Sequence, residues 1–234
     1  MTAIFKREIN AYFDTPLGYV FLAVYYLFAG YFFYNYNLYA NSTDMRALFE
    51  ILFTVTLFLV PILTMRLMSE DRRNKTDQLL MMAPIGTLAI VMGKLLAAAV
   101  VYLAAMLITI VEAFVLSVFA AVEWSVVFGH FIGLFLLGLA LISVGMLIST
   151  LTENQIIAAI GTFIISVLLM YMDSLASVVS NEVLSTAIQW FSFNDRYSTF
   201  TQGMFSISSV IFFISVVAVF VFLTARKVES RRWS

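Results

Sequence analysis

Long apolar runs alternate with short polar connections along this chain of 234 residues. A helix needs about 20 mostly apolar residues to cross the hydrocarbon layer of a membrane. Long continuous runs also argue against a spanning β-barrel, which would show short segments of alternating polarity. The pattern therefore predicts an all-α membrane protein that forms one domain. Its six transmembrane helices are expected near residues 17–33, 48–67, 95–122, 126–148, 155–171 and 206–224.

The first 13 residues, MTAIFKREINAYF, form a separate helical pattern. Apolar side chains recur there at helical spacing, and Lys6 and Arg7 stand between them. The Asp14-Thr15-Pro16 sequence then interrupts the pattern. We therefore expect an N-terminal amphipathic helix that lies on the inner leaflet.

The connection from residue 172 to 205 is too polar to span a membrane and too apolar to be a free loop. It predicts short helices at the outer face, between spans five and six. These helices are expected to bury one group of side chains and to leave another in water. The first group is Leu184, Ile188, Trp190 and Phe191, and the second is Asp195 and Arg196.

The composition supports a membrane protein and excludes several kinds of site. Hydrophobic residues make up 62% of the chain and charged residues 12%, against about 45–50% and about 25% in soluble domains. A net charge of −1 gives no signal for nucleic acid. With no cysteine and one histidine, the chain offers neither a thiol nucleophile nor a cysteine–histidine metal cage. We therefore expect no catalytic, cofactor-binding or metal site and no enzymatic activity.

The basic residues predict how the chain is oriented. Eleven of the 13 lysines and arginines lie at the two termini or between spans two and three. Because cytoplasmic segments are enriched in Lys and Arg, these three regions are expected on the inner side of the plasma membrane. Both termini are then cytoplasmic. The residues expected to anchor the chain at the inner interface are Lys6, Arg7, Lys94, Arg226 and Lys227.

Residues 69–94, SEDRRNKTDQLLMMAPIGTLAIVMGK, are called the charged segment below. They predict a helix that is capped by Ser69, runs to Ala83 and is closed by Pro84. Its LLMM end is apolar all round, so it needs cover from the bilayer, the bundle or a partner. Two oppositely charged pairs at i,i+4 spacing favour the helix: Asp71 with Lys75, and Arg73 with Asp77.

The Gly93-Lys94 pair resembles the end of a phosphate-binding loop, but its spacing is wrong. Such a loop has four residues between its glycines and a Ser or Thr after the lysine. Here six residues separate Gly86 from Gly93, and Leu95 follows Lys94. We therefore expect Lys94 to extend its ammonium to the inner headgroups at the start of span three.

The order of these elements resembles the permease subunits of type-2 ATP-binding-cassette (ABC) transporters. In that family an acidic residue, a Leu-Leu pair, a Pro-Ile or Pro-Val pair and a Gly-Lys pair follow each other between helices two and three. The same order occurs here, although Lys75-Thr76 stands where Gly-Thr is usual. The FNDRYSTFTQGMFSISSV stretch and the terminal RRWS resemble bacterial permeases of the gliding-motility type, which work with a separate ATPase.

This resemblance implies the membrane subunit of an ATP-driven exporter in a bacterial inner membrane. The charged segment would contain a coupling helix that docks on an ABC ATPase subunit. Two ATPase copies would bind ATP and magnesium, and a second permease copy, identical or homologous, would complete the transporter. An accessory membrane or extracytoplasmic protein is a further candidate partner. The coupling residues implied are Ser69, Glu70, Asp71, Arg72, Arg73, Lys75, Asp77, Leu79, Leu80 and Pro84.

Three features within the spans leave alternatives open. Glu112 lies about 27 Å along its helix from Lys94, where it either has a structural role or lines a translocation path. His130 is expected near the same outer boundary, as an interfacial histidine rather than a proton relay. Small residues along span four, with Gly129 and Gly133 at a small-xxx-small spacing, favour close packing within one bundle or, alternatively, a dimer contact.

A secondary transporter or a channel-like protein is the alternative function. Such a protein would be expected to pair charges near the membrane midplane or to break its spans with Gly and Pro. Pro61 is the only proline within a predicted span, and no acidic residue is expected at mid-depth. The exporter is therefore preferred. Its substrate stays open between a peptide, a lipid, a glycan, a drug and force transmission without transport.

Overall fold

A computed structural model describes residues 1–77, 85–178, 181–190, 192–201 and 206–231. These residues form α-helices and one short π-helix, Tyr34–Tyr39, which continues the second α-helix. The helices are α1 (Thr2–Asp14), α2 (Pro16–Phe33), α3 (Arg46–Thr64), α4 (Ser69–Arg73), α5 (Thr87–Phe119), α6 (Trp124–Leu151), α7 (Gln155–Met170), α8 (Met172–Val178), α9 (Glu182–Trp190), α10 (Phe193–Thr201) and α11 (Ile207–Ser230).

The predicted class, an all-α multi-pass membrane protein, is confirmed. Five helical stretches are long and apolar enough to cross a membrane. They are α2 with its π-helical extension, α3 continuing through α4, α5, α6 and α11. The predicted fifth span corresponds to α7, which is apolar but has only 16 residues.

Helix α5 begins eight residues earlier than the predicted third span. It starts at Thr87, after the extended Gly86, and its 33 residues include no proline. At 1.5 Å per residue it is about 50 Å long, well beyond the roughly 30 Å of the hydrocarbon layer. Gly93 and Lys94 therefore lie two turns inside a continuous helix, a further difference from a phosphate-binding loop.

The single helix predicted from Ser69 to Ala83 is wrong in its first part. Helix α4 ends at Arg73, and Lys75 adopts a left-handed backbone with φ of 57°. Ser69 is also not the N-cap, because that position belongs to Met68. The break between α4 and Lys75 divides the charged segment into two parts. Residues 78–84 of the second part, with Leu79, Leu80 and Pro84, lie outside the described residues.

Helix α6 is the centre of the bundle and contacts α3, α5, α7, α10 and α11. Its glycines allow the neighbouring side chains to approach closely. A Cβ at Gly133 would lie 2.9 Å from the ring of Phe200, and one at Gly138 would collide with the Tyr102 ring. The small residues of this helix therefore pack within one chain, as the first of the two interpretations predicted.

The predicted N-terminal helix is present as α1, and it packs against α5 and α2. One face, with Ile4, Glu8 and Tyr12 at i,i+4 spacing, is buried. The Tyr12 hydroxyl donates to the carbonyl oxygen of Leu63 at 2.9 Å. The buried face of α1 is thus turned to the protein, and its contact with the inner leaflet stays a prediction. We call the end of the bundle that carries α1 and α4 the basal end.

The opposite end carries α8, α9 and α10, and we call it the capped end. Short helices were predicted here and three are present, but the buried residues differ from those expected. Leu184 and Trp190 are exposed, Phe191 lies outside the described residues and the side chain of Ile188 is not described. Asp195 is exposed and Arg196 partly so. The cap is instead held by Phe193, Tyr197 and Phe200 of α10, which are buried against the bundle.

We predict that Gly138→Ala destabilises the protein by about 1–3 kcal/mol, the usual cost of overpacking. The added methyl group would displace Tyr102, whose hydroxyl lies 3.2 Å from the Thr56 hydroxyl and donates to the Leu134 carbonyl at 3.1 Å. The thermal midpoint in detergent checks this. Gly30→Ala is the matched control, since a Cβ there has no neighbour within 4 Å. Equal midpoints for the two variants would contradict the packing described.

Candidate functional site

A buried lysine lies at the centre of the basal end. Lys94 of α5 is 2% exposed. Its ammonium lies 2.7 Å from Asp71 Oδ2 of α4 and 3.0 Å from Glu8 Oε1 of α1. It also donates to the carbonyl oxygen of Leu67, at 2.5 Å, in the turn between α3 and α4. One side chain therefore joins α1, the α3–α4 turn, α4 and α5.

Arg7 completes what we call the basal ion cluster: Arg7, Glu8, Asp71 and Lys94. Its guanidinium lies 2.5 Å from Glu8 Oε1 and 3.2 Å from Asp71 Oδ2. Burial lowers the pKa of Arg7, but the two carboxylates outweigh this effect and raise the pKa above its ordinary value. Two cations and two anions alternate in the cluster. The cost of burying Lys94 is therefore offset by direct ionic hydrogen bonds.

The expected contact of Lys94 with lipid headgroups is wrong. The ammonium has three donors, and it meets two carboxylates and a carbonyl of the protein itself.

The predicted pairing of Asp71 with Lys75 is also replaced. Asp71 Oδ2 contacts Lys94 and Arg7, while Oδ1 accepts a hydrogen bond from the Thr76 hydroxyl at 2.7 Å. Asp71 thus links α4 to the rest of the fold.

A second connection between α1 and the charged segment runs through Arg66, which is buried. Its Nε lies 2.7 Å from Glu70 Oε2. Its Nη1 donates to the Ala11 carbonyl at 3.0 Å and to the Thr15 hydroxyl at 2.6 Å. The guanidinium also lies over the Tyr12 ring, 5.2 Å from its centre. Glu70 therefore reaches the C-terminal part of α1 through one arginine.

The start of α4 is also attached to α6. The Ser149 hydroxyl accepts hydrogen bonds from the backbone N–H groups of Met68 and Ser69, at 3.1 and 3.0 Å, and it donates to the Met65 carbonyl at 3.1 Å. Ser69 itself is buried and donates its hydroxyl to the same carbonyl. These bonds satisfy backbone donors at the helix start that have no partner within the helix.

Arg72 extends this contact to the turn between α6 and α7. It donates to the Thr150 carbonyl at 3.2 Å and pairs with Glu153 at 2.9 Å. Arg231, just after α11, donates to the same carbonyl. Burial of its guanidinium lowers the pKa of Arg231, and repulsion from Arg72 lowers it further. The charged segment and the C-terminal helix therefore meet at the last turn of α6.

The other basic residues described at this end are exposed. Lys6, Arg73, Lys75 and Lys227 are exposed, and the exposed Arg226 pairs with Glu229 at 3.2 Å. An open groove of about 540 Å³ runs beside Arg73, between α4 and the α6–α7 turn. Its lining residues are Arg73, Glu153, Asn154, Gln155 and Ile156. The charged segment is therefore attached to the bundle through α4, and its Arg73 and Lys75 form an exposed basic surface.

Two residues singled out in the sequence lie away from the basal cluster. Glu112 is buried in α5, and no described residue forms a hydrogen bond with its Oε2. His130 is fully buried within the protein, and its place at the membrane interface stays a prediction. It stacks on Phe49 with ring centres 4.9 Å apart, and its Nδ1 lies 3.3 Å from the Tyr197 hydroxyl. His130 thus attaches the cap to the bundle.

Comparison with known protein families gives a match. A family model described as "ABC-2 family transporter protein" matches residues 30–226 of this chain. The matched region runs from within α2 to within α11 and includes the whole charged segment. Helix α1 precedes it. No curated protein matches the chain.

We predict that Lys94→Met destabilises the fold by about 3–5 kcal/mol, because removing one partner leaves buried charges uncompensated. The thermal midpoint followed by tryptophan fluorescence measures the loss. Lys227→Met removes an exposed lysine and serves as the control. Combining Lys94→Met with Glu8→Gln and Asp71→Asn should recover part of the loss. If Lys94→Met were as stable as Lys227→Met, the cluster would have no structural role.

Proposed function

The chain belongs to the ABC-2 transporter family, and from this premise we propose that it is the permease subunit of an ATP-driven exporter. It works with a separate ABC ATPase, as the resemblance to permeases of the gliding-motility type suggests. The partner binds ATP and magnesium, and this chain binds neither and catalyses no reaction. The permease contributes the membrane passage and the surface on which the ATPase acts.

The attachment of the charged segment is the observation that supports this proposal most strongly. A push on α4 is transmitted to three neighbours, because Asp71 meets Lys94 of α5, Glu70 reaches α1 through Arg66, and Ser69 is bonded to Ser149 of α6. Arg73 and Lys75 remain exposed beside these contacts. A short helix connected in this way can transmit movement to the spans, whereas a free loop would absorb it.

Under this proposal the basal end faces the cytoplasm, with both termini, in a bacterial inner membrane. Two ATPase subunits dock on two permease copies, identical or homologous. Closure of the ATPases on ATP pushes the two charged segments and shifts the permease halves between inward- and outward-facing states. The apolar LLMM stretch after Asp77 supplies a contact surface that the ATPase covers. The basic residues before it supply charge complementary to the ATPase surface.

Affinity purification in a mild detergent tests the partnership without assuming which ATPase takes part. We expect an ABC ATPase to accompany the tagged permease, and we expect the pair to hydrolyse ATP. If no ATPase accompanied the chain, and added candidate ATPases formed no hydrolysing complex with it, the exporter proposal would be wrong.

A second prediction locates the contact. Replacing Leu79 and Leu80 with Asp should abolish ATPase association, because two carboxylates would be buried in an apolar interface. Arg73→Glu with Lys75→Glu should weaken association at low salt by about tenfold, equivalent to about 1.4 kcal/mol, through lost charge complementarity.

Arg226→Glu with Lys227→Glu is the matched control, because it makes the same charge change on exposed residues of the same end. Co-purification and membrane insertion are measured for all three variants. Equal association of the control and the two test variants would remove the docking role of the charged segment.

A further inference from the structure

The C-terminal end of α11 directs one of its basic side chains toward the bundle. Arg226 and Lys227 are exposed, and Arg226 pairs with Glu229 at 3.2 Å. Arg231, just after the helix, is only partly exposed, and it donates to the carbonyl oxygen of Thr150 in the last turn of α6. The two arginines therefore differ, because Arg226 faces outward and Arg231 joins α11 to α6.

The Thr150 carbonyl is shared between α11 and the charged segment. It is one of the last carbonyl groups of α6, which have no N–H partner within the helix. Arg72 of α4 donates to it at 3.2 Å, and Arg231 donates to the same oxygen. A carbonyl oxygen has two lone pairs and can accept both bonds at once, and the C-terminal end of a helix favours cations. Arg72 and Arg231 are thus held side by side.

Acidic side chains offset the repulsion between these two guanidinium groups. Arg72 pairs with Glu153 at 2.9 Å. Burial and then the charge of Arg72 lower the pKa of Arg231, whereas the negative charges of Asp77 and Glu153 raise this pKa. Asp77 belongs to the charged segment. Arg231 is therefore connected to that segment by an electrostatic attraction as well as by a shared carbonyl.

Little free space separates these groups. A cleft of about 30 Å³ lies between them, with room for no more than a few water molecules. Its lining includes Arg72, Asp77 and Ile90 of the charged segment, Thr150 of α6, and Val228 and Arg231 at the end of α11. A movement of α4 toward α11 would therefore displace the end of α11 rather than close an empty space.

We propose that Arg231 is a positioning residue that joins α11 to the charged segment, so that a movement of α4 reaches α11 as well as α1, α5 and α6. This role depends on the proposed coupling to an ABC ATPase and adds a fourth moving element to it. Arg231 acts through Thr150 and Asp77. Its loss should therefore leave ATPase docking intact and leave α11 behind when α4 moves.

Double electron–electron resonance on the full permease tests the resting contact. Spin labels at Arg73 and Lys227, both exposed, report on α4 and α11. We expect a narrow distance distribution in the otherwise native chain and a broad one in Arg231→Met. Arg231→Lys should be intermediate, because lysine keeps the charge but lacks the planar fork of donors. Arg226→Met is the matched control and should stay narrow, since Arg226 faces outward.

The same variants in complex with the ATPase test the transmission of movement. Labels at Tyr19, in the first turn of α2, and at Lys227 measure the position of α11 against another span, and both residues are exposed. We expect ATP with vanadate to shift this distance in the native permease and in Arg226→Met. Arg231→Met should bind the ATPase as tightly and lose the shift. Equal binding distinguishes a positioning role from a general loss of structure.

The possible results distinguish this role from the coupling on which it depends. If no ATPase binds the native permease, the coupling is absent and the role of Arg231 is overturned with it. If the ATPase binds but the native permease shows no shift, or Arg231→Met shows the same shift, the role of Arg231 alone is overturned. An equally narrow resting distribution in Arg231→Met overturns it as well. If Arg231→Met does not fold, the same two measurements on Arg231→Lys decide, with a partial loss of the shift expected.

Discussion

The burial of one ammonium group determines how the basal end is built. A charge at 2% exposure is tolerated only if its donors are satisfied and its charge is balanced. Lys94 meets this requirement by drawing together Glu8 of α1, Asp71 of α4 and the Leu67 carbonyl. The amphipathic helix, the charged segment and the longest span are consequently connected at one point. The proposed coupling function rests on this connection, because a force applied to α4 would reach the spans through it.

The helices could largely be predicted from the sequence because each depends on local pattern. The apolar run near residues 126–148 became α6, and the amphipathic residues 1–13 became α1. The break at Lys75 could not be predicted, since two i,i+4 charge pairs favoured a continuous helix. Tertiary partners outweighed pairs worth only about 0.2–0.5 kcal/mol each, and Asp71 turned to Lys94 instead.

The candidate site was only partly predictable for the same reason. Its residue types and its place between two spans were evident from charge clustering. Its geometry depends on contacts such as Lys94 with Glu8, which are 86 positions apart. Lys94 itself was misread, because a lysine near a predicted span boundary normally reaches the headgroups. Helix α5 actually starts at Thr87. Lys94 therefore lies about two turns inside the helix, where α1 packs against it.

Lys94 holds α1 and the charged segment together as one unit. Because the chain has no cysteine, spin labels can be placed at Lys6 and Arg73, both exposed, and their separation measured by double electron–electron resonance. We expect one narrow distance distribution with Lys94 present and a broad one in Lys94→Met. An equally narrow distribution in both proteins would show that Lys94 does not hold α1 and the charged segment together.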